Sequence, residues 1–312
     1  MQASVGVASV GGARVKFLLL PDRATRAYCR AMHVRLFFLA AGLTAIAAAR
    51  AEHVKGVIKS SDPKEGVLTL TREDTGRDVT GYAPSGDLAP ERVGTVVEGD
   101  YLASDAAGKT FRFEGLRPAD AAGEARIAVA AAHLRADTGE RGRGKVRAVG
   151  DTLPEFVLRD QYGRLVSNAD LVGKYVVFSF IFSRCRSPEM CPASTRKMVG
   201  LSKKLKEAGV TNALLLSISF DPAFDTPGIL KGYADGYGAD GERHRFLSGP
   251  TGLIEDLERQ FGIQTVEDDG TIIHNVATVL VAPSGRILYR FEGPRWEVGD
   301  FVRRVETHRT AK

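Results

Sequence analysis

Residues 175–192 run Tyr175-Val-Val-Phe-Ser-Phe-Ile-Phe-Ser-Arg-Cys185-Arg-Ser-Pro-Glu-Met-Cys191-Pro192. Tyr175 to Phe182 is an apolar run rich in Val, Ile and Phe, the composition of a buried strand. It breaks at Ser183-Arg184 and delivers Cys185. A short loop holding Pro188 leads to Cys191 and Pro192, after which Met198, Leu201 and Leu205 share one face of a helical pattern. A cysteine pair where a buried strand hands over to a helix suits thiolate chemistry. The helix dipole and its unpaired N–H groups stabilise S⁻ there. The thiolate is both a nucleophile and a soft metal ligand, so this stretch predicts redox work, metal work or both. A structural disulfide is the competing reading, but it would close only a short loop and constrain the unfolded chain little.

Outward from this stretch, the amino-terminal side carries a leader pattern. Met32 to Ala51 has a short basic start, an apolar run and Ala49-Arg50-Ala51, a small-x-small cleavage site. It reads as a secretory signal peptide over 32–51, with residues 1–31 an upstream extension outside the mature protein. A buried helix or an uncleaved anchor is the alternative. Export places the protein in the periplasm or another extracytoplasmic space, touching membrane only through a target or an uncleaved signal. The chain has 312 residues, room for two modest domains.

Charge follows the same division. The formal net charge is +5, from 43 Lys and Arg against 38 Asp and Glu. Residues 1–51 hold seven of the basic residues and one acid, Asp22, which leaves 36 against 37, or −1. The basicity belongs to the leader and gives no argument for nucleic-acid binding. Of three cysteines, Cys29 precedes the signal and only Cys185 and Cys191 remain in the mature chain. Two close cysteines do not make a disulfide-stapled scaffold.

Residues 52–118 read as five short strands with turn signals at Asp62-Pro63 to Gly66 and at Glu98-Gly99-Asp100, a small all-β barrel. Residues 119–149 read as an Ala-rich helix in the first half and a Gly-rich linker, Arg141-Gly-Arg-Gly-Lys, in the second. From 150 to 312 strands alternate with helices. Ala213 to Phe220 is a second strand apolar on both faces, as a parallel sheet requires. Asp225-Thr226-Pro227 and Thr251 read as helix starts. His274 leads into an apolar strand that turns at Pro283-Ser-Gly285 into a terminal hairpin. The fold class is α/β, a thioredoxin-like fold preceded by a small all-β barrel-like domain.

These residues resemble a known family. Gly150-Asp-Thr-Leu-Pro-Glu-Phe, the Phe-Ser-Arg-Cys185…Cys191-Pro192 stretch, Leu216-Ser-Ile-Ser-Phe-Asp221-Pro…Asp225-Thr-Pro227, Phe246-Leu-Ser-Gly, and His274 before a strand ending Ala-Pro-Ser-Gly285 resemble the SCO/SenC family. Those are thioredoxin-fold copper proteins of cytochrome oxidase assembly. The resemblance implies copper as cofactor, with Cys185, Cys191 and His274 as ligands, and a copper-acquiring oxidase subunit as partner. Asp221, after a buried strand, is expected at the same carboxyl edge of the sheet as the cysteines, either supporting the ligands or capping the turn that follows. The family pattern has three residues between the cysteines and this chain has five, so closure of the longer loop is the geometric question. Two thiolates and an imidazole form a soft, low-coordinate set suited to Cu(I), or to Cu(II) with an added ligand. Met190 is expected to fill space and His244 to lie on the surface. The first domain resembles the CusF-like copper barrel at Gly56 to Pro63 and Gly66 to Leu70, yet residues 53–118 contain no Met and no Trp. A scaffold or docking module is expected there, with His53 a remote Cu(II) candidate.

Four functions compete. The first is a copper chaperone that delivers copper to, or prepares cysteines of, an oxidase subunit. The second is a thiol–disulfide oxidoreductase in which Cys185 attacks and Cys191 resolves, served by a thiol reductant. A peroxiredoxin-like peroxidase is third, disfavoured by Phe182 where Thr is expected three positions before the cysteine. The fourth is an interaction module with a passive bridge.

Overall fold

The computed structural model describes residues 5–10, 13–18, 51–105, 107–142, 144–268 and 271–311. The expected signal peptide, 32–51, lies outside the described residues apart from Ala51. Upstream of it, β1 (Val5–Val10) and β2 (Ala13–Leu18) pair antiparallel in a unit of their own.

The next five strands close a barrel: β3 (Glu52–Asp62), β4 (Val67–Arg72), β5 (Asp78–Tyr82), β6 (Val96–Ala103) and β7 (Phe111–Pro118), in the order β3-β4-β5-β7-β6. Period-two alternation places Val54, Ile58, Leu68, Leu70, Val97, Phe113 and Leu116 inside. Gly56 faces the wall where strands crowd; a Cβ there would sit 2.2 Å from the Thr71 carbonyl oxygen. A 3-10 turn, Ser85–Leu88, follows β5.

Helix α1 (Ala121–Arg141) runs well past the expected first half of its segment. Asp120 caps it by accepting from Gly123 N at 2.7 Å, and nothing breaks the helical pattern before Gly142. Ile127, Ala130 and Leu134 are buried in the core of the following domain. The Gly-rich stretch beyond is tied down by Arg147, which donates from Nε to Gln260 and from Nη1 to the Thr152 carbonyl, each at 2.5 Å, and pairs with Asp137.

A hairpin of β8 (Val157–Arg159) and β9 (Leu165–Ser167) and a short capped helix α2 (Asn168–Leu171) lead into β10 (Tyr175–Ile181). Then come α3 (Cys191–Glu207), β11 (Ala213–Ser219), α4 (Pro227–Gly236), β12 (His244–Leu247) and α5 (Thr251–Phe261). A small hairpin, β13 (Thr265–Asp268) and β14 (Thr271–His274), precedes β15 (Ala277–Val281), β16 (Ile287–Glu292) and α6 (Val298–Thr310). The main sheet has the order β12-β11-β10-β15-β16. Strands β10, β11 and β12 are parallel, and β15 and β16 run antiparallel to their neighbours. This is the thioredoxin-like arrangement. Every residue of β10 and β11 is buried because helices cover both faces. On one face Met198, Leu201 and Leu205 of α3 meet Trp296 and, from α6, Phe301 and Val305. On the other, α1, α4 and α5 pack over Phe178, Phe180 and Leu216. Among the described residues no helix is long and apolar enough to cross a membrane.

Candidate metal and redox site

Strand β10 carries the chain to the carboxyl edge of the sheet, where Ser183-Arg184-Cys185 leaves it. Cys191 is the first residue of α3, with Pro192 behind it, so its sulfur sits at a helix N-terminus. The longer loop between the cysteines folds on itself. Met190 N donates to the Ser187 carbonyl at 3.2 Å, and Arg196 of α3 holds the Pro188 carbonyl at 3.0 Å. The extra length is taken up as a turn, and the sulfurs converge. His274 arrives at the end of β14, paired in register with Thr265. The ligand atoms of Cys185, Cys191 and His274 all lie within 4.8 Å of one another.

Cys191 is fully buried, Cys185 partly exposed, and His274 is 9 % exposed. The Cys191 sulfur lies 3.5 Å from His274 Nε2. His274 Nδ1 lies 2.9 Å from the carbonyl oxygen of Asn275. A carbonyl only accepts, so Nδ1 carries a hydrogen, and Nε2 is the ring atom turned toward the sulfurs. Asn275 is itself pinned, accepting from Gln264 N at 2.7 Å and donating to the Gly262 carbonyl at 2.8 Å. The imidazole packs against Phe220 and Phe182, with ring centroids 4.5 and 5.7 Å away.

Both thiols are free, and they share protons unequally. A hydrogen bond from Cys191 holds the Cys185 thiol well below the usual range, with His274 and loop N–H groups adding to it against burial. The same hydrogen bond, then burial and the adjacent thiolate, push the Cys191 thiol up. Of the two sulfurs, Cys185 is therefore the one that loses its proton first, and Cys191 is the one that keeps it. Two sulfurs and one nitrogen at this separation fit a soft, low-coordinate ion.

Asp221 does not touch the three donors. It accepts from Arg184 Nε and Nη2 at 3.0 and 2.6 Å, beside Cys185, and the Arg184 guanidinium lies 4.3 Å over the Phe224 ring. Asp225, expected at a helix start, is wholly buried. It accepts from Ser183 N at 3.1 Å, from Ser219 Oγ at 2.5 Å and from Ser183 Oγ. Its pairing with a residue 42 positions away has no local signal. Thr226 is the actual cap of α4, accepting from Ile229 N at 3.3 Å.

His244 is not on the surface. It is 0 % exposed, held by Ser217 Oγ at 2.9 Å and stacked on Phe246, and burial lowers its pKa to about 3. The apolar neighbours on β11 and β12 enclose it, which a single histidine in a short strand does not announce. His53 stands exposed on the barrel, 3.3 Å from Asp100.

Fold and site together define a thioredoxin-like protein with a dithiol–imidazole centre at the sheet's carboxyl edge, preceded by a small β-barrel. The family model described as SCO1/SenC matches residues 145–308, and the chain belongs to that family. It is 30 % identical over 145 residues to the SCO1 protein homolog of Bacillus subtilis, covering 44 % of this chain and 72 % of that protein. It is also 30 % identical over 190 residues to the mitochondrial SCO2 homolog of Bos taurus, covering 55 % and 67 %. A solved structure of Arabidopsis thaliana ScoI with copper bound is 23 % identical, with a TM-score of 0.45, over 51 % of this chain and 99 % of that one.

Proposed function

We propose that the protein binds one copper ion through Cys185, Cys191 and His274 and delivers it to, or prepares the cysteines of, a respiratory oxidase subunit. The convergence of three soft donors within 4.8 Å, from segments 83 positions apart, carries this reading. Membership of SCO1/SenC supports it, since that resemblance implies copper and oxidase assembly. Bound copper would add a thiophilic centre open to exchange with a partner's ligands. This chain's residues supply the rest: the Asn275 carbonyl orients the imidazole, Phe182 and Phe220 wall it from water, and Asp221 and Asp225 hold the residues before Cys185. The leader pattern supports action outside the cytoplasm. The test is copper stoichiometry of the reduced protein beside a Cys185→Ser/Cys191→Ser variant. One tightly held copper per chain, lost in the variant, is expected. No copper on the wild type, or equal copper on both, rejects the assignment.

The unequal sharing of the thiol protons favours a second activity at the same pair. The Cys185 thiolate would attack a target disulfide and release one target thiolate. Cys191 would then attack the Cys185 sulfur and free the second, leaving the chain's pair oxidised and the target reduced. A thiol reductant restores the pair. Loss of disulfide exchange in Cys185→Ser, with exchange retained in His274→Ala, is expected. Retention in Cys185→Ser excludes it.

A further inference from the structure

Beside a contact of Pro118 with Gly163, the barrel meets the thioredoxin-like domain along residues 222–232 and grips that segment from two sides. From β7, Arg117 Nη2 donates to the carbonyl oxygens of Pro222 and Ala223, each at 2.7 Å. From the 3-10 turn, Gly86 lies against the first turn of α4. A Cβ at Gly86 would be 1.9 Å from the Gly228 carbonyl oxygen, and one at Gly228 would be 2.1 Å from the Asp87 carboxylate. Asp87 is itself fixed, buried in an ion pair with the equally buried Arg92. Two glycines meeting backbone to backbone leave no slack at this joint.

The gripped segment, with Asp221 just before it, also holds the cysteine loop. Asp221 binds Arg184, and Asp225 binds the amide and hydroxyl of Ser183. These are the two residues immediately before Cys185. Three links therefore connect the barrel to a site sulfur: Arg117 to the 222 and 223 carbonyls, Asp221 and Asp225 to Ser183 and Arg184, and those to Cys185.

We propose that the barrel is a clamp that positions the Cys185 loop, with Arg117 as a positioning residue for the thiol and metal chemistry. This rests on the proposed function for its metal readout, but not for its redox readout. A barrel without thioether ligands thus acts on copper by holding the backbone of the module that binds it. Partners outside the metal ligands fix ligand geometry, and their loss costs about 10–100-fold in metal affinity.

The experiment uses the full chain and two readouts: Cu(I) affinity by competition with a chelator, and the reduction potential of the Cys185/Cys191 pair. Arg117→Ala is expected to weaken Cu(I) about tenfold or more. It is also expected to shift the thiol–disulfide equilibrium about tenfold, or about 30 mV for a two-electron couple. Arg117→Lys, which can still donate to both carbonyls, is expected to recover most of both. Lys59→Ala, which removes an exposed ion pair with Asp78 on the barrel wall, is expected to change neither. A folded Arg117→Ala protein with wild-type potential overturns the clamp. Should that variant not fold, Gly86→Ala at the other grip is read by the same two outcomes. Wild-type protein that binds no copper rejects the proposed function alone, because the potential still reports the clamp.

Discussion

His274 donates its Nδ1 hydrogen to the carbonyl oxygen of Asn275 at 2.9 Å. The bond holds the ring by its far side and leaves Nε2 aimed at the Cys191 sulfur 3.5 Å away. Ring orientation is thereby decided before any metal arrives.

His274→Ala removes the nitrogen donor and leaves the thiols in place. Cu(I) affinity should fall by more than about a hundredfold, beyond the loss typical of an outer partner, with disulfide exchange retained. Unchanged copper affinity in a competition titration would remove His274 from the ligand set.

Asn275→Ala keeps the carbonyl but cuts its side-chain ties to Gln264 and Gly262. Copper affinity should drop about tenfold through loss of imidazole orientation. Stability should fall by about 1 kcal/mol, the scale of an exposed hydrogen bond. Chelator competition beside urea unfolding separates the two effects; an affinity equal to wild type contradicts the orienting role.

The reduced pair predicts a bell in stability against pH. Cys185 has its folded pKa below the unfolded value of about 8.5, so its contribution is complete above that value and is lost as pH falls. Cys191 has its folded pKa above the unfolded one, so its contribution is present below about 8.5 and is lost as pH rises. The urea-midpoint difference between wild type and Cys185→Ser/Cys191→Ser, under reductant, should therefore peak near pH 8.5. A flat difference contradicts the sharing of one proton.

Buried His244 adds an acid sensitivity of its own. Its folded pKa is lowered from 6.5 to about 3, so only the unfolded chain takes up the proton between those values. That loss of stability begins as pH falls through 6.5 and reaches about 3 kcal/mol at pH 4, at about 1.4 kcal/mol per unit. His244→Asn should remove this part of the acid sensitivity. An unchanged slope of stability between pH 6.5 and pH 4 would show that His244 is protonated inside the fold.

Much of the architecture was written locally. The apolar run Tyr175–Phe182, its twin Ala213–Phe220 and the hairpin after Gly285 announced the central sheet, because strands covered on both faces must be continuously apolar. Alternation at Val54, Ile58, Leu68 and Leu70 announced the barrel. The length of α1 was not legible, since Asp137 to Arg141 is polar enough to pass for linker. Its place is set by Ile127, Ala130 and Leu134 packing on a distant hairpin and helix. His244 was misread because burial of one polar side chain depends on what the fold lays over it, here Phe246.

By itself the sequence determined the element types, the cysteine pair at a strand-to-helix junction, and the resemblance that pointed to His274. These depend on residue type and near-neighbour spacing, which physical periodicity makes readable. Tertiary structure alone decided that a five-residue loop closes by turning at Ser187–Met190, and that Asn275 sets the imidazole. It alone brought Asp225 to Ser183 and Arg117 to the 222 and 223 carbonyls. Those contacts join residues 42 to 106 positions apart, and only the packing of sheet, helices and barrel brings such partners within hydrogen-bonding reach.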